Sequence, residues 1–294
     1  QHDGEYGSVL VERKQFQGPI YGGTDSLATL RRPGAPPRED DPEQARLEQL
    51  VRADGIEVSP MKPSGAQSSH FFFASSSGEQ LVLRAPKPHT RIDVEASYRS
   101  HRLVRSLARR IGAAHVALPV ALFDVPQQQR QQLPWDRIVA MPFLADWAAA
   151  DAVPRELRAR ICEQDRVAGA LLCVLTTQRD AAAKNVLMRR DTGEIVLLDL
   201  DTCLGRPVWW GGGTSRPCFL PGEKLAYQSA QAKVDDLPAR AKELVCEVAA
   251  LDPAAACERF GLLPGEAESL VVAAREVRDE GLSAAGDRRF PPKQ

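Results

Sequence analysis

The sequence predicts an α+β fold in two lobes, a β-rich first half with one long helix and a mostly helical second half. Three observations predict it. Short runs of strand-forming apolar residues lie between about residues 70 and 143. Apolar residues recur at helical spacing through most of the chain after 154. The 294 residues, 43% hydrophobic and 26% charged, have the size and composition of one two-lobed globular domain.

Residues 1–45 show little periodicity and run into the Pro-rich, charged stretch 32–41, so a partly disordered tail or linker is expected there. An N-lobe over 46–144 and a C-lobe over 145–294 follow. The first helix has Asp41 as N-cap, Pro42 at its first position, Leu47, Leu50 and Val51 on one face, and Gly55 as its stop. Residues 70–74 and 80–84 read as a β-hairpin turning through 75–78. A helix over 92–111 places Leu103, Leu107 and Ile111 four apart and ends at Gly112. Strands over 116–123 and 137–143 flank a Gln-rich loop. Helices over 154–175, 237–251 and 264–277 fill the second half, interrupted by 176–205. That interruption holds two strand-like runs, 185–188 and 195–198, joined by a turn at 191–193.

Lys plus Arg (38) against Asp plus Glu (39) leaves a net charge of -1, which removes the broad positive field of a nucleic-acid binder. No window approaches the roughly 18 apolar residues of a membrane span, so a soluble, cytoplasmic protein is expected. The start at Gln1 is expected of a trimmed or processed form, which keeps secretion or translocation open. The six cysteines are scattered, without a C-x-x-C pair or a nearby His, and are expected reduced in the core rather than on zinc.

The chemistry-bearing signal lies at 178–201. In phosphoryl transfer one Asp orients the attacking hydroxyl, an Asn five residues later holds Mg²⁺, and an Asp after the next hairpin holds Mg²⁺ against the phosphates. Asp180, Asn185 and Asp199 stand at that spacing. Loop Asp and Asn residues often serve only their own backbone. Here the motif sits between a long apolar helix and a hairpin that delivers a further Asp, which makes chance much less probable. Asp201 is a second metal ligand or a cap for the segment behind it.

With these residues the chain resembles the protein-kinase-like superfamily, most closely its phosphoinositide 3/4-kinase-like branch, over about residues 60–205. Ser64, Gly65, Ser68 and Ser69 look like the small-residue loop that covers the phosphates. Glu95 looks like the helix-C glutamate that pairs with the ATP-binding cation. Met141, in 138–143, looks like part of the hinge strand that meets adenine. The resemblance implies a two-lobed protein-kinase-like fold using ATP and Mg²⁺ (or Mn²⁺). It places the phosphate-binding cation near residues 80–88, where Lys87 is preferred and Arg84 is the alternative. The branch's D-R-H-x-x-N is replaced by Asp180-Ala-Ala-Ala-Lys-Asn185, which turns the expectation from a lipid toward a protein acceptor, with a lipid or small-molecule acceptor left open. Three activities stay open: an atypical kinase acting on a hydroxyl, a pseudokinase or nucleotide-binding scaffold, and a phosphoinositide kinase or adenylyl transferase on the same fold. The segment 209–214, rich in Trp and Gly, stands where a substrate-gating loop would lie.

Overall fold

A computed structural model describes residues 41–53, 56–61, 69–86, 93–131, 133, 135–178, 180, 182–204 and 237–290, all within the unit Pro33–Gln294. Five antiparallel strands form the first sheet: β1 (Glu57–Pro60), β2 (Ser69–Ser76), β3 (Glu79–Pro86), β4 (Ala121–Asp124) and β5 (Arg137–Pro142), in the order β1-β2-β3-β5-β4. The β2–β3 hairpin turns through Ser77 and Gly78, both at positive φ (51° and 81°), the backbone that lets a two-residue turn follow the twist of its strands.

Strand alternation gives this sheet two distinct faces. Leu81, Leu83 and Ala85 of β3, Ile138 and Ala140 of β5, and Ala121 and Phe123 of β4 bury together beneath Leu47 of helix α1 (Pro42–Leu50). Asp41 caps α1 by accepting from the Gln44 amide, and Pro42 opens it, as the sequence predicts. On the other face Val82 and Arg84 of β3 stand opposite Met141 and Val139 of β5. Val94 and Tyr98 of helix α2 (Val94–Arg110) pack onto Val139 and Met141 there.

Farther along α2, Leu103, Val104, Leu107 and Ala108 leave that cluster and enter the C-terminal core. This core is built on α4 (Glu163–Leu175), α5 (Ala239–Ala250), α6 (Pro253–Phe260), α7 (Pro264–Glu280) and α8 (Leu282–Arg289). A second, three-stranded sheet in the order β6-β7-β8 lies at its margin: β6 (Trp147–Ala149), β7 (Val186–Arg189) and β8 (Ile195–Leu197).

The fold is therefore α+β, with a sheet-rich N-terminal lobe and a mostly helical C-terminal lobe, consistent with the kinase-like two-lobed plan. It departs from the sequence expectation in four places. The 154–175 helix is two helices, α3 (Arg155–Arg158) and α4, because the Cys162 sulfur caps a new start by accepting from the Asp165 amide. At this break Gly193 of the β7–β8 turn lies against the Arg160 carbonyl, where an added Cβ would stand only 2.9 Å from the oxygen. The expected strand over 116–123 begins only at Ala121, since 114–116 form a 3₁₀ turn. β1, β6, α6 and α8 were unforeseen. Of the cysteines, Cys173 and Cys203 are buried as expected, whereas Cys162 and Cys246 are exposed, and no disulfide joins the described cysteines. No helix among the described residues is long and apolar enough to cross a membrane.

Candidate active site

The candidate site lies where β3 of the N-terminal lobe meets the loop 176–185 and the turn 199–202 of the C-terminal lobe. Asp199 follows β8 with φ 54° and ψ 51°, left-handed backbone that a non-glycine residue adopts at a cost of about 1–3 kcal/mol. Thr177 (φ 49°) and Leu204 (φ 60°) are held the same way, and the Leu204 amide donates to the Thr176 carbonyl at 2.5 Å. Gln178, almost wholly buried, donates from Nε2 to the Asp199 carbonyl at 2.7 Å. The strained turn is thereby tied to the loop that carries Asp180.

Asp180 and Asn185 are joined directly. Asn185 Nδ2 donates to the Asp180 carbonyl (2.7 Å) and to Asp180 Oδ2 (3.0 Å). Both partners are acceptors only, so the nitrogen end of the amide must face Asp180 and the oxygen end is the one offered elsewhere. Asn185 is placed by the 3₁₀ turn 183–185, and its backbone carbonyl accepts from the Leu198 amide at the close of β8.

Across the lobe junction Arg84 donates from Nη1 to Asp201 Oδ1 (2.7 Å), and from Nη2 to Asp201 Oδ2 and Asp199 Oδ1 (2.5 Å each). Arg84 and Asp201 are buried, with 6% and 4% of their side chains exposed, whereas Asp199 keeps 27%. Burial pushes the Asp199 carboxyl up to about 6; Arg84 opposes the rise, while Asp201 and Asp180 add to it. Burial works against the Asp201 carboxylate as well, but the Arg84 charge and hydrogen bonds prevail and hold it at about 2. Among the described residues the Arg84 guanidinium meets two carboxylates, Asp199 and Asp201, in a junction where unbalanced charge is expensive.

The donor set suits a divalent cation. Asn185 offers an amide oxygen, and Asp199 offers the oxygen that Arg84 does not hold; such oxygen donors match Mg²⁺. No group of three His, Cys, Asp or Glu side chains arranged for a metal occurs among the described residues. Mg²⁺ at phosphoryl-transfer sites is commonly held by one or two protein side chains together with phosphate oxygens, which this pair fits.

The other expected residues are distributed unevenly. Met141 is buried on the cleft face beside Val82, and Phe73 meets Phe143 edge-on with ring centres 5.1 Å apart at the start of the interlobe connection. Glu95 is not among the partners of Arg84, whose bonds go to Asp199 and Asp201. Its side chain is 44% exposed and accepts from Arg137 Nη1 at 2.5 Å. The reason is helical geometry: Ser97, two residues and about 200° farther round α2, is the residue that faces the junction, donating to Asp201 Oδ1 at 2.5 Å. Asp201, expected as a metal ligand, has both oxygens on Arg84. Lys87, Ser64, Gly65, Ser68 and the segment 209–214 lie outside the described residues; Ser69 opens β2, its backbone opposite Pro86. Ser97 and Gln178 were not among the expected site residues, and of the two candidate cations Arg84 is the one among the described residues. Strand alternation places Arg84 on the cleft face with Val82, a signal already present in the residues.

No protein-family model matches the chain, and no curated protein matches it. Among solved structures the chain is similar to the Helicobacter pylori proinflammatory kinase CtkA, at 10% identity and a TM-score of 0.42, over 81% of this chain and 98% of that one. It is also similar to the open conformation of CtTel1, at 11% identity and a TM-score of 0.39, over 80% of this chain and 12% of that one. At these values the likeness is one of general outline, and the site stands on its own residues.

Proposed function

We propose that this chain is an atypical kinase that transfers the γ-phosphoryl group of ATP to a hydroxyl, with a protein as acceptor. One observation carries the reading: Asp180, Asn185 and Asp199, spaced in sequence as phosphoryl transfer requires, converge beside a buried cation delivered by the other lobe. Asn185 and Asp199 would hold Mg²⁺, which when bound with ATP neutralises the triphosphate. The apolar cleft face at Val82, Met141 and Phe143 offers adenine a surface, and the loop with Ser64, Gly65, Ser68 and Ser69 would cover the phosphates. Arg84 supplies the fixed positive charge. Asp180 orients the acceptor hydroxyl and takes its proton as the bond from phosphorus to that oxygen forms and the bond to the departing ADP oxygen breaks. The protein acceptor is favoured by the replacement of the lipid-kinase motif after Asp180.

One feature favours a non-catalytic scaffold instead: Arg84 already bridges Asp199 and Asp201, so the junction holds together without a nucleotide. Titration calorimetry separates the two readings. The kinase reading expects ATP to bind with Mg²⁺ or Mn²⁺ and to lose about tenfold or more of its affinity in Asp199→Ala or in excess chelator. Equal affinity in all three conditions would remove the metal role from Asp199, and no ATP binding at all would favour the scaffold.

A further inference from the structure

Asp201 is a candidate metal ligand by position, yet its carboxylate is fully engaged by protein. Arg84 grips it with two parallel bonds, Nη1 to Oδ1 at 2.7 Å and Nη2 to Oδ2 at 2.5 Å, the fork-to-fork arrangement that fixes a guanidinium in both place and plane. Ser97 Oγ of α2 adds a third bond, to Oδ1. The helix carboxylate expected to hold the cation, Glu95, is turned outward onto Arg137. A buried arginine without a fixed partner would carry a large desolvation penalty and an undefined direction. Asp199 cannot be that partner alone, because it meets Arg84 through a single oxygen and is the more exposed of the two.

We infer that Asp201 is the positioning residue for the phosphate-binding cation, holding Arg84 on the cleft face, and that Ser97 links the position of α2 to that hold. The inference rests on the kinase reading and assigns Asp201 a role other than metal binding. Its consequence is directional. Arg84 Nη2 is shared between Asp199 and Asp201, so the bond to Asp199 can be exchanged for a phosphate oxygen while the two bonds to Asp201 persist. The guanidinium then stays at the junction and Asp199 is released toward the cation.

Titration calorimetry with ATP across a series of Mg²⁺ concentrations tests this, using the wild type, Asp201→Asn, Arg84→Ala, their double variant, Ser97→Ala and Ser97→Thr. Loss of a charged hydrogen-bonded pair predicts about tenfold weaker ATP binding in Asp201→Asn and in Arg84→Ala, with no further loss in the double variant. The half-saturating Mg²⁺ concentration should stay at the wild-type value in Asp201→Asn. Ser97→Ala should lose part of the affinity and Ser97→Thr, which keeps the hydroxyl, should recover it. Additive losses in the double variant, a raised half-saturating Mg²⁺ in Asp201→Asn, or wild-type affinity in Asp201→Asn would each overturn the inference while leaving the kinase reading standing. A wild type that binds no ATP at any Mg²⁺ concentration overturns the kinase reading and this role with it. Should Asp201→Asn not fold, as judged by circular dichroism, the Ser97 pair carries the same test, and wild-type affinity in Ser97→Ala would then count against it.

Discussion

Asp180→Asn removes a proton acceptor while preserving the shape that Asn185 grips from two directions. The proposed role is exerted on the acceptor hydroxyl, so phosphoryl transfer should fall by about two to four orders of magnitude while ATP affinity stays within about twofold of the wild type. Single-turnover transfer beside equilibrium binding measures both; a variant at wild-type rate would make Asp180 a structural loop residue. At this scale the sequence was legible in placement, as for Asp180, Asn185 and Asp199, whose spacing puts them at one junction. It was less legible where a partner is chosen 42 or 104 residues away. Nothing local to Glu95 says that Arg137 will claim it, or that Ser97 will face Asp201. Arg84 was the intermediate case, since strand alternation showed its face but not what waited there.

Helix α1 is held by its cap as much as by its apolar face. The Asp41 carboxylate accepts from the Gln44 amide and from Arg105, and is itself buried. Burial acts to raise its pKa, but Arg105, the Gln44 amide and Arg109 together hold it below the usual carboxylate value. The sign follows from linkage. A carboxyl depressed in the folded state contributes stability above its unfolded value near 4, and that contribution is lost as pH falls through the folded value. Asp41→Asn keeps a capping side chain and removes the charge, so it should cost about 2 kcal/mol at pH 7. Thermal melts from pH 7 to 3 should show the gap between variant and wild type narrowing below about pH 4; a constant gap would mean that the charge is not what Arg105 recognises. Elements with strong periodicity or caps, α1, α2 and the β2–β3 hairpin, were readable in advance. β6 was not, because three residues carry no period and pair only with the distant β7. The α3–α4 break was signalled by Glu163 and Asp165 in the first turn of α4, but the continuous apolar pattern of 154–175 overrode that signal.

For the whole molecule, α2 is the part that makes two lobes behave as one body. Its first turns lie on the cleft face of the sheet through Val94 and Tyr98, its middle lies in the C-terminal core through Leu103, Val104 and Leu107, and Arg99 and Arg110 pair with Glu266 of α7 and Glu247 of α5. Leu107→Ala should therefore cost roughly 2–5 kcal/mol. Amide exchange should quicken in both β3 and α4, since neither lobe keeps its packing when α2 loosens; exchange that quickens in one lobe alone would show them to be independent units. The broad division into a sheet lobe and a helical lobe was visible from the change in period along the chain, whereas the sharing of α2 between two cores appears only in three dimensions.

The most direct test of phosphoryl transfer at Asp180, Asn185 and Asp199 is incubation of the chain with Mg²⁺, acceptor protein and ATP labelled separately at its α- and γ-phosphates. Label is expected on a protein hydroxyl from the γ position only, lost in Asp180→Asn and Asn185→Ala. Label from the α position would make the chain a nucleotidyl transferase, and no label from either position, under Mg²⁺ or Mn²⁺, would contradict catalysis at this site.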